Sequence, residues 1–215
     1  DQMSVLLVAA KRELVEAKVR VLTDAGLSAA AVDVDAFALH NAFERNHPEA
    51  MNGIVALVNV GHEVTNINIV EDGVPILTRD LTVGTRRFRE DLQRDRGLGA
   101  EEAAALLQGY DQSEHLNAVF ETRAEEIAVG VERAAAFLAS SSRSGAQVSA
   151  VYVCGGGSRA PGLLDALAAR LRLPVEPASP LANLVVRDGA FESLVTDEVA
   201  PLMMLPIGLA LRQPA

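Results

Sequence analysis

At 215 residues with 49% apolar content, the chain can bury a sizeable core as one large domain or two small ones. Its formal net charge of −10 argues against nucleic acid as a main partner, because phosphate backbones are gripped by clustered Lys and Arg; the one basic run, Arg86-Arg87 with Arg89, is mixed with acids. No apolar stretch approaches the roughly 20 residues that span a bilayer, which predicts a soluble protein, and a single cysteine rules out a disulfide framework and fits a reducing cytoplasm.

In chain order, VLLVAA predicts a strand from Val5 to Ala9, and the chain enters it so directly from Asp1 that an N-terminal part of the native protein is expected to be missing. Apolar residues at Leu14, Val21, Leu22 and Ala25 predict an amphipathic helix from Glu13 to Ala25, stopped by Gly26. Val32 and Val34 alternate with Ala31 and Asp33 as a strand does, and Asp35 is placed to cap a helix carrying Phe37, Leu39 and Phe43. After a loop from Asn46 to Gly53 the composition turns β-rich through Leu81. Ile54 to Val60 and Thr65 to Val70 read as strands joined through a Gly61-His62 turn, and Asp72-Gly73 reads as a hairpin. A helix from Thr85 to Arg96 ends at Gly97, and Ala100 to Ser140 reads as several helices with breaks near Gly109 and Gly130. Ser141 to Gln147 is a polar turn. Then come a strand from Val148 to Cys154, a helix from Pro161 to Leu171, a short strand from Pro174 to Glu176, and an apolar tail with Pro206 near the start of a final helix. Strands alternating with helices after an antiparallel hairpin predict an α/β fold with a sheet of mixed direction.

Two glycine turns carry the chemistry: Asn59-Val60-Gly61-His62-Glu63-Val64-Thr65-Asn66, and, about ninety residues later, Gly155-Gly156-Gly157-Ser158-Arg159-Ala160-Pro161-Gly162. Each follows a buried apolar strand. Such turns aim backbone N–H groups outward and let the chain approach phosphate, so the pair suggests a nucleotide held across a shared cleft. His62 has two readings, a phosphate donor and a solvated turn histidine. Glu63 is read as pointing outward. Cys154, among apolar residues at a strand end, reads as a small core side chain. Glu125 and Glu126 are neighbours about 100° apart on a helix and read as a wet face. His40, His47 and His115 lie in different elements without zinc spacing.

These two turns resemble the phosphate and adenosine turns of the actin-like ATPase superfamily. Within it, VLLVAAKRELVEAKVRVLTDAGLSAAAVDVDAFALHNAFE and the terminal PIGLALR are similar to the PilM family of type IV pilus machinery, over nearly the whole chain. The resemblance implies an actin-like, ribonuclease H-like fold. It implies a remainder of a first domain at 1–50, a second domain at 51–199 with a helical insertion at 85–145, and a helix at 200–215 returning to the first. It implies ATP with Mg²⁺ as cofactor, held by Asn59, Gly61, His62, Thr65, Asn66, Gly84, Gly155, Gly156, Gly157 and Ser158. The Thr65 hydroxyl would donate to phosphate, and Asn59 would reach the metal through water.

Two departures weaken that site. Asn59 stands where the superfamily has an aspartate, and an uncharged amide cannot neutralise Mg²⁺. Ala104, Ala105 and Leu107 occupy the register where relatives carry a Glu and Lys pair near ribose and base, with Glu102 or Gln108 as partial substitutes. The implied function is a cytoplasmic scaffold at the inner face of the inner membrane with weak or no ATP hydrolysis. It would dock the cytoplasmic tail of a PilN-like inner-membrane protein, touch the membrane only through that partner, and assemble as a homo-oligomer or ring. The peptide would lie along the Val5 to Ala9 and Val32 to Val34 strands and the Leu14 helix. The alternatives are an ATPase or sugar kinase of the same superfamily and an FtsA-like filament-forming division protein.

Overall fold

The computed structural model describes residues 7–109, 117–141, 147–191 and 195–212. At its centre lies a strand, β1 (Ile54–Val60), with no exposed residue. It pairs antiparallel with β2 (Thr65–Glu71), which pairs antiparallel with β3 (Val74–Leu81). On its other side β1 pairs parallel with β4 (Ala150–Cys154), followed by β5 (Val175–Pro177). The sheet order is therefore β3-β2-β1-β4-β5, a mixed five-stranded sheet as the sequence predicts.

Strand periodicity sorts the side chains onto two faces. Ile54, Ala56, Val58 and Val60, with Ile67 and Ile69, meet α3 (Thr85–Arg96), α5 (Asn117–Ser141) and α6 (Leu163–Leu171) through Phe88, Leu92, Phe120, Ile127, Leu163 and Leu167. Val55 and Leu57, with Val70, Tyr152 and Cys154, meet α2 (Asp35–Asn46) and α8 (Met204–Ala210) through Leu39, Phe43 and Met204. The result is three layers. Each of these large side chains contributes about 1.5–3 kcal/mol of burial.

The local signals act as expected at several points. Asp72 and Gly73 both have positive φ, 47° and 76°, the geometry a two-residue hairpin with right-handed twist requires. Gly97 ends α3 in the left-handed region at φ 67°, where a side chain would be strained. The short α4 (Ala100–Leu107) stops before Gly109, as read.

Other expectations are corrected. Leu7 to Ala9 are exposed and form no strand, and neither do Val32 and Val34, because no neighbouring strand offers them a ladder among the described residues; Val5 and Leu6 lie outside those residues. The first helix, α1 (Arg12–Asp24), forms, but it buries none of its residues; Leu14 and Val21 are 64% and 67% exposed. Val34, not Asp35, is the N-cap of α2. Gly130 does not break α5. Instead it lets the helix sit close on the sheet, since a Cβ there would run into Leu81 and come within 3.0 Å of Ile67 Cδ1. The helix predicted from Pro161 begins at Leu163 after a left-handed Gly162, and α7 (Thr196–Val199) precedes α8. His115 and most of the Ser141 to Gln147 turn lie outside the described residues.

Candidate functional site

β1 and β4 run parallel and end level with each other, Asn59 opposite Cys154, so the chain leaves the sheet twice at the same place. After β1, the Gly61 N–H donates to the Val64 carbonyl at 3.0 Å, closing a tight turn. The Gly61 and His62 carbonyls accept from the Thr85 and Arg86 N–H groups at 3.0 and 2.8 Å, tying the turn to the first turn of α3. Gly84 makes this possible, because any Cβ would collide with the His62 carbonyl. Among the described residues the amides of His62 and Glu63 meet no backbone acceptor, so the tip of the turn offers two donors.

After β4, Gly155 takes φ 84°, ψ 170°, a region open essentially to glycine alone, and its N–H donates to the Pro201 carbonyl at 3.0 Å. Gly157 is buried against Val60 and Thr85, and Gly156 faces Leu202. The Ser158 hydroxyl donates to the Gly155 carbonyl at 2.7 Å.

Between the turns opens a cavity of about 250 Å³. His62 and Gly156 line it from the two turns, Thr85 and Arg89 from α3, Ala104, Leu107 and Gln108 from the end of α4, and Arg159 and Leu202 from the far side. His62 Nδ1 lies 3.3 Å from the Thr85 hydroxyl. Arg159 binds the Gln108 and Glu198 carbonyls at 3.2 and 3.4 Å, fastening the second turn to α4 and to the tail. Two guanidinium groups and no carboxylate border this space, which makes it attractive to an anion.

The ten residues picked from the sequence separate into four groups. His62 and Gly156 line the cavity, while Gly61, Gly84, Gly155 and Gly157 shape it from behind. Ser158 is engaged with its own turn. Thr65, Asn59 and Asn66 do not line the cavity, although the Asn59 Oδ1 lies directly against Gly155, 2.5 Å from where a Cβ would stand. Thr65 is fully buried opposite Val60, on the α3 side of the sheet, and its one hydroxyl proton goes to the Val83 carbonyl at 2.7 Å, so it is not placed to donate to phosphate. Asn59 points to the other face. There its amide donates to Asn66 Oδ1 at 2.9 Å, Asn66 donates to Asp80 at 2.8 Å, and the Cys154 thiol approaches Asn59 Oδ1 at 3.7 Å. Burial pushes that thiol up to about 12, so it stays protonated and can act as a weak donor. Thus Cys154, Asn59, Asn66 and Asp80 form one polar ladder across four strands.

With both ends of Asn59 engaged and neutral, this ladder does not fit a magnesium ion. No cluster of three or more His, Cys, Asp or Glu suited to a metal occurs among the described residues. Sequence reasoning missed Thr85, Arg89, Arg159 and Leu202. Arg159 was visible inside the second glycine motif, and Arg89 lies one helical turn after Thr85 on the same face of α3.

A mixed sheet in this order, covered by helices on both faces and with glycine turns ending β1 and β4 side by side, defines an actin-like α/β protein. Residues 1–214 match the type IV pilus assembly protein PilM family, and the chain belongs to it. Among solved structures it is similar to a PilM-PilN type IV pilus biogenesis complex, with 26% identity and a TM-score of 0.79 over 94% of this chain and 58% of that one. It also shares its fold with the ethanolamine utilization protein EutJ from Carboxydothermus hydrogenoformans, at 21% identity and TM-score 0.67 over 94% of this chain and 62% of that one. MreB 5 of Spiroplasma citri bound to AMPPNP shares it at 14% identity and TM-score 0.64, over 94% and 64%. The chain therefore spans less than two thirds of the length of each of these relatives.

Proposed function

We propose that this chain is part of a type IV pilus assembly scaffold that docks the cytoplasmic tail of a PilN-like inner-membrane protein and holds an adenine nucleotide with weak or no hydrolysis. Membership of the PilM family and likeness to a chain solved in a PilM-PilN complex support the partner. One observation carries the nucleotide: both glycine turns open on a single cavity bordered by Arg89 and Arg159. At about 250 Å³ it falls below the usual 300–1,000 Å³ of a ligand pocket, so it serves as one wall for the phosphates rather than a whole site. Hydrolysis needs a water-positioning base and a firmly held metal, and neither an acid at Asn59 nor a carboxylate at the cavity supplies them.

Tail docking falls on the segment that leaves apolar side chains in solvent, Leu7, Leu14, Val21 and Val32 in and around α1. An extended or helical apolar peptide covering them gains their burial. The expected place of work is the cytoplasmic face of the inner membrane, reached through the partner. No helix among the described residues is long and apolar enough to cross a membrane. The division of the chain into 1–50, 51–199 and 200–215 belongs to the same reading.

The test is a pair of titrations of the full chain, one with the cytoplasmic tail peptide of the PilN-like partner and one with ATP and Mg²⁺ under continuous phosphate assay. Peptide binding that Leu14→Asp with Val21→Asp abolishes, with negligible phosphate release, is the expected result. Steady turnover of ATP overturns the reading in favour of an ATPase.

A further inference from the structure

A second cationic cavity lies away from the glycine turns, where the edge strand β3 meets α3 and α5. We propose that it binds a compact phosphate-bearing anion. Arg79 from β3, Arg87 from α3 and Arg133 from α5 converge on a space of about 400 Å³. None of the three guanidinium groups has an ion-pair or hydrogen-bond partner among the described residues. The single carboxylate on the wall, Glu126, is already paired with Arg123 at 2.7 Å. Carboxylates neutralise several other arginines, Arg86 by Glu63 and Glu90, Arg123 by Asp91 and Glu126, Arg170 by Glu125 and Glu132, whereas these three share one cavity whose single carboxylate is already engaged. Three like charges on the wall of one cavity repel one another until an anion enters.

The chemistry of the lining selects the anion. Planar guanidinium forks match phosphate oxygens in bidentate fashion, and the Thr82 hydroxyl adds a neutral donor. Leu81, Val83 and Val129 form an apolar floor beneath the exposed arginines. The floor is firm because α5 packs onto Leu81 through Gly130. The anion is either a soluble phosphate compound or the headgroup of an acidic phospholipid, which present the same oxygens.

The experiment titrates the full chain with inorganic pyrophosphate by calorimetry and, separately, sediments it with phosphatidylglycerol vesicles against phosphatidylcholine vesicles. Pyrophosphate binding without vesicle binding assigns a soluble ligand; binding to phosphatidylglycerol vesicles as well assigns a headgroup. In either case Arg79→Gln with Arg87→Gln and Arg133→Gln should weaken binding at least tenfold, and the single Arg87→Glu should weaken it in smaller measure. The same charge removed elsewhere, by Arg12→Gln, Arg20→Gln and Arg187→Gln, should leave binding within twofold. Absence of binding to both probes overturns the proposal. So does binding that survives the triple substitution but is lost with Arg89→Gln and Arg159→Gln, which would place the anion between the glycine turns and leave the nucleotide reading standing.

Discussion

Gly155 lies so close to Val60 that a Cβ on it would sit 2.6 Å from the Val60 carbonyl oxygen. The two glycine turns are thus in van der Waals contact, and Gly157, seated on Val60 and Thr85, extends that contact to the start of α3. Arg89 follows Thr85 by one helical turn, so the two turns and the start of α3 wall the same cavity.

Gly155→Ala tests this contact. The backbone at φ 84°, ψ 170° costs a non-glycine residue about 1–3 kcal/mol, and the Val60 carbonyl cannot move aside as a side-chain tip can. The expected loss is about 3 kcal/mol in urea unfolding. Gly162→Ala is the comparison, with φ 76° but open space around its Cβ, and it should lose only about 1 kcal/mol. Gly162 lies in the less strained αL region (ψ −3°), so equal losses would show that neither the backbone at Gly155 nor its contacts with Val60 and Asn59 add to the ordinary cost of a positive φ.

Gly208 in α8 gives the second prediction. In a helix interior Gly→Ala ordinarily stabilises by about 1 kcal/mol. Here a Cβ would run into the Ala38 carbonyl oxygen of α2, so the sign reverses. Gly208→Ala should destabilise by about 1–3 kcal/mol, the range for overpacking, and hydrogen exchange should speed in α2 and α8 before the sheet.

Local patterns revealed most of the fold because most elements depend on local causes. The Asp72-Gly73 hairpin, the Gly97 stop and the apolar β1 run each need only their own residues. What failed needed a partner. Val32 and Val34 alternate like a strand, but with no strand beside them among the described residues they form no ladder. Gly130 has the composition of a break, and only the Leu81 side chain beneath it explains why it is a close approach instead. The site divides in the same way. Backbone glycines were legible from their spacing, whereas the face on which Thr65 and Asn59 fall is fixed by the pairing of β1 with β2 and cannot be read from either strand alone. Arg89 and Arg159 were missed because charge on a helix or in a turn points nowhere until the elements are docked.

Cys154 provides a pH dependence. Its thiol, 9.0 in the reference state, is pushed up to about 12 by burial. The folded-state value is the higher, so the associated stability is fully present below pH 9 and is lost as pH rises towards 12. Between those limits unfolding should become easier by about 1.4 kcal/mol per pH unit. Tyr152, also raised by burial and then by Glu176 and Glu49, acts in the same direction. The comparison with Cys154→Ala isolates the thiol: urea midpoints of the two proteins should run parallel up to pH 9 and diverge above it. At pH 8 the native thiol should resist alkylation and react only on unfolding.

Asn59→Asp decides whether the neutral residue at the end of β1 is what withholds metal chemistry. In the native ladder the Asn59 amide donates to Asn66 Oδ1, and the Asn66 amide donates to Asp80. A carboxylate at position 59 removes one donor. If the Asn66 amide turns to face it, the Asn66 oxygen is left against Asp80, so one pair of acceptors is opposed in either orientation. The expected cost is about 1–3 kcal/mol, the penalty for an unmet half-buried polar group. Millimolar Mg²⁺ should not restore it, because the carboxylate lies in the ladder and the cavity beyond offers arginines rather than acids. ATP turnover should stay at the background rate. A variant that instead regains stability with Mg²⁺ and releases phosphate would show that a single side chain stands between this chain and ATP turnover.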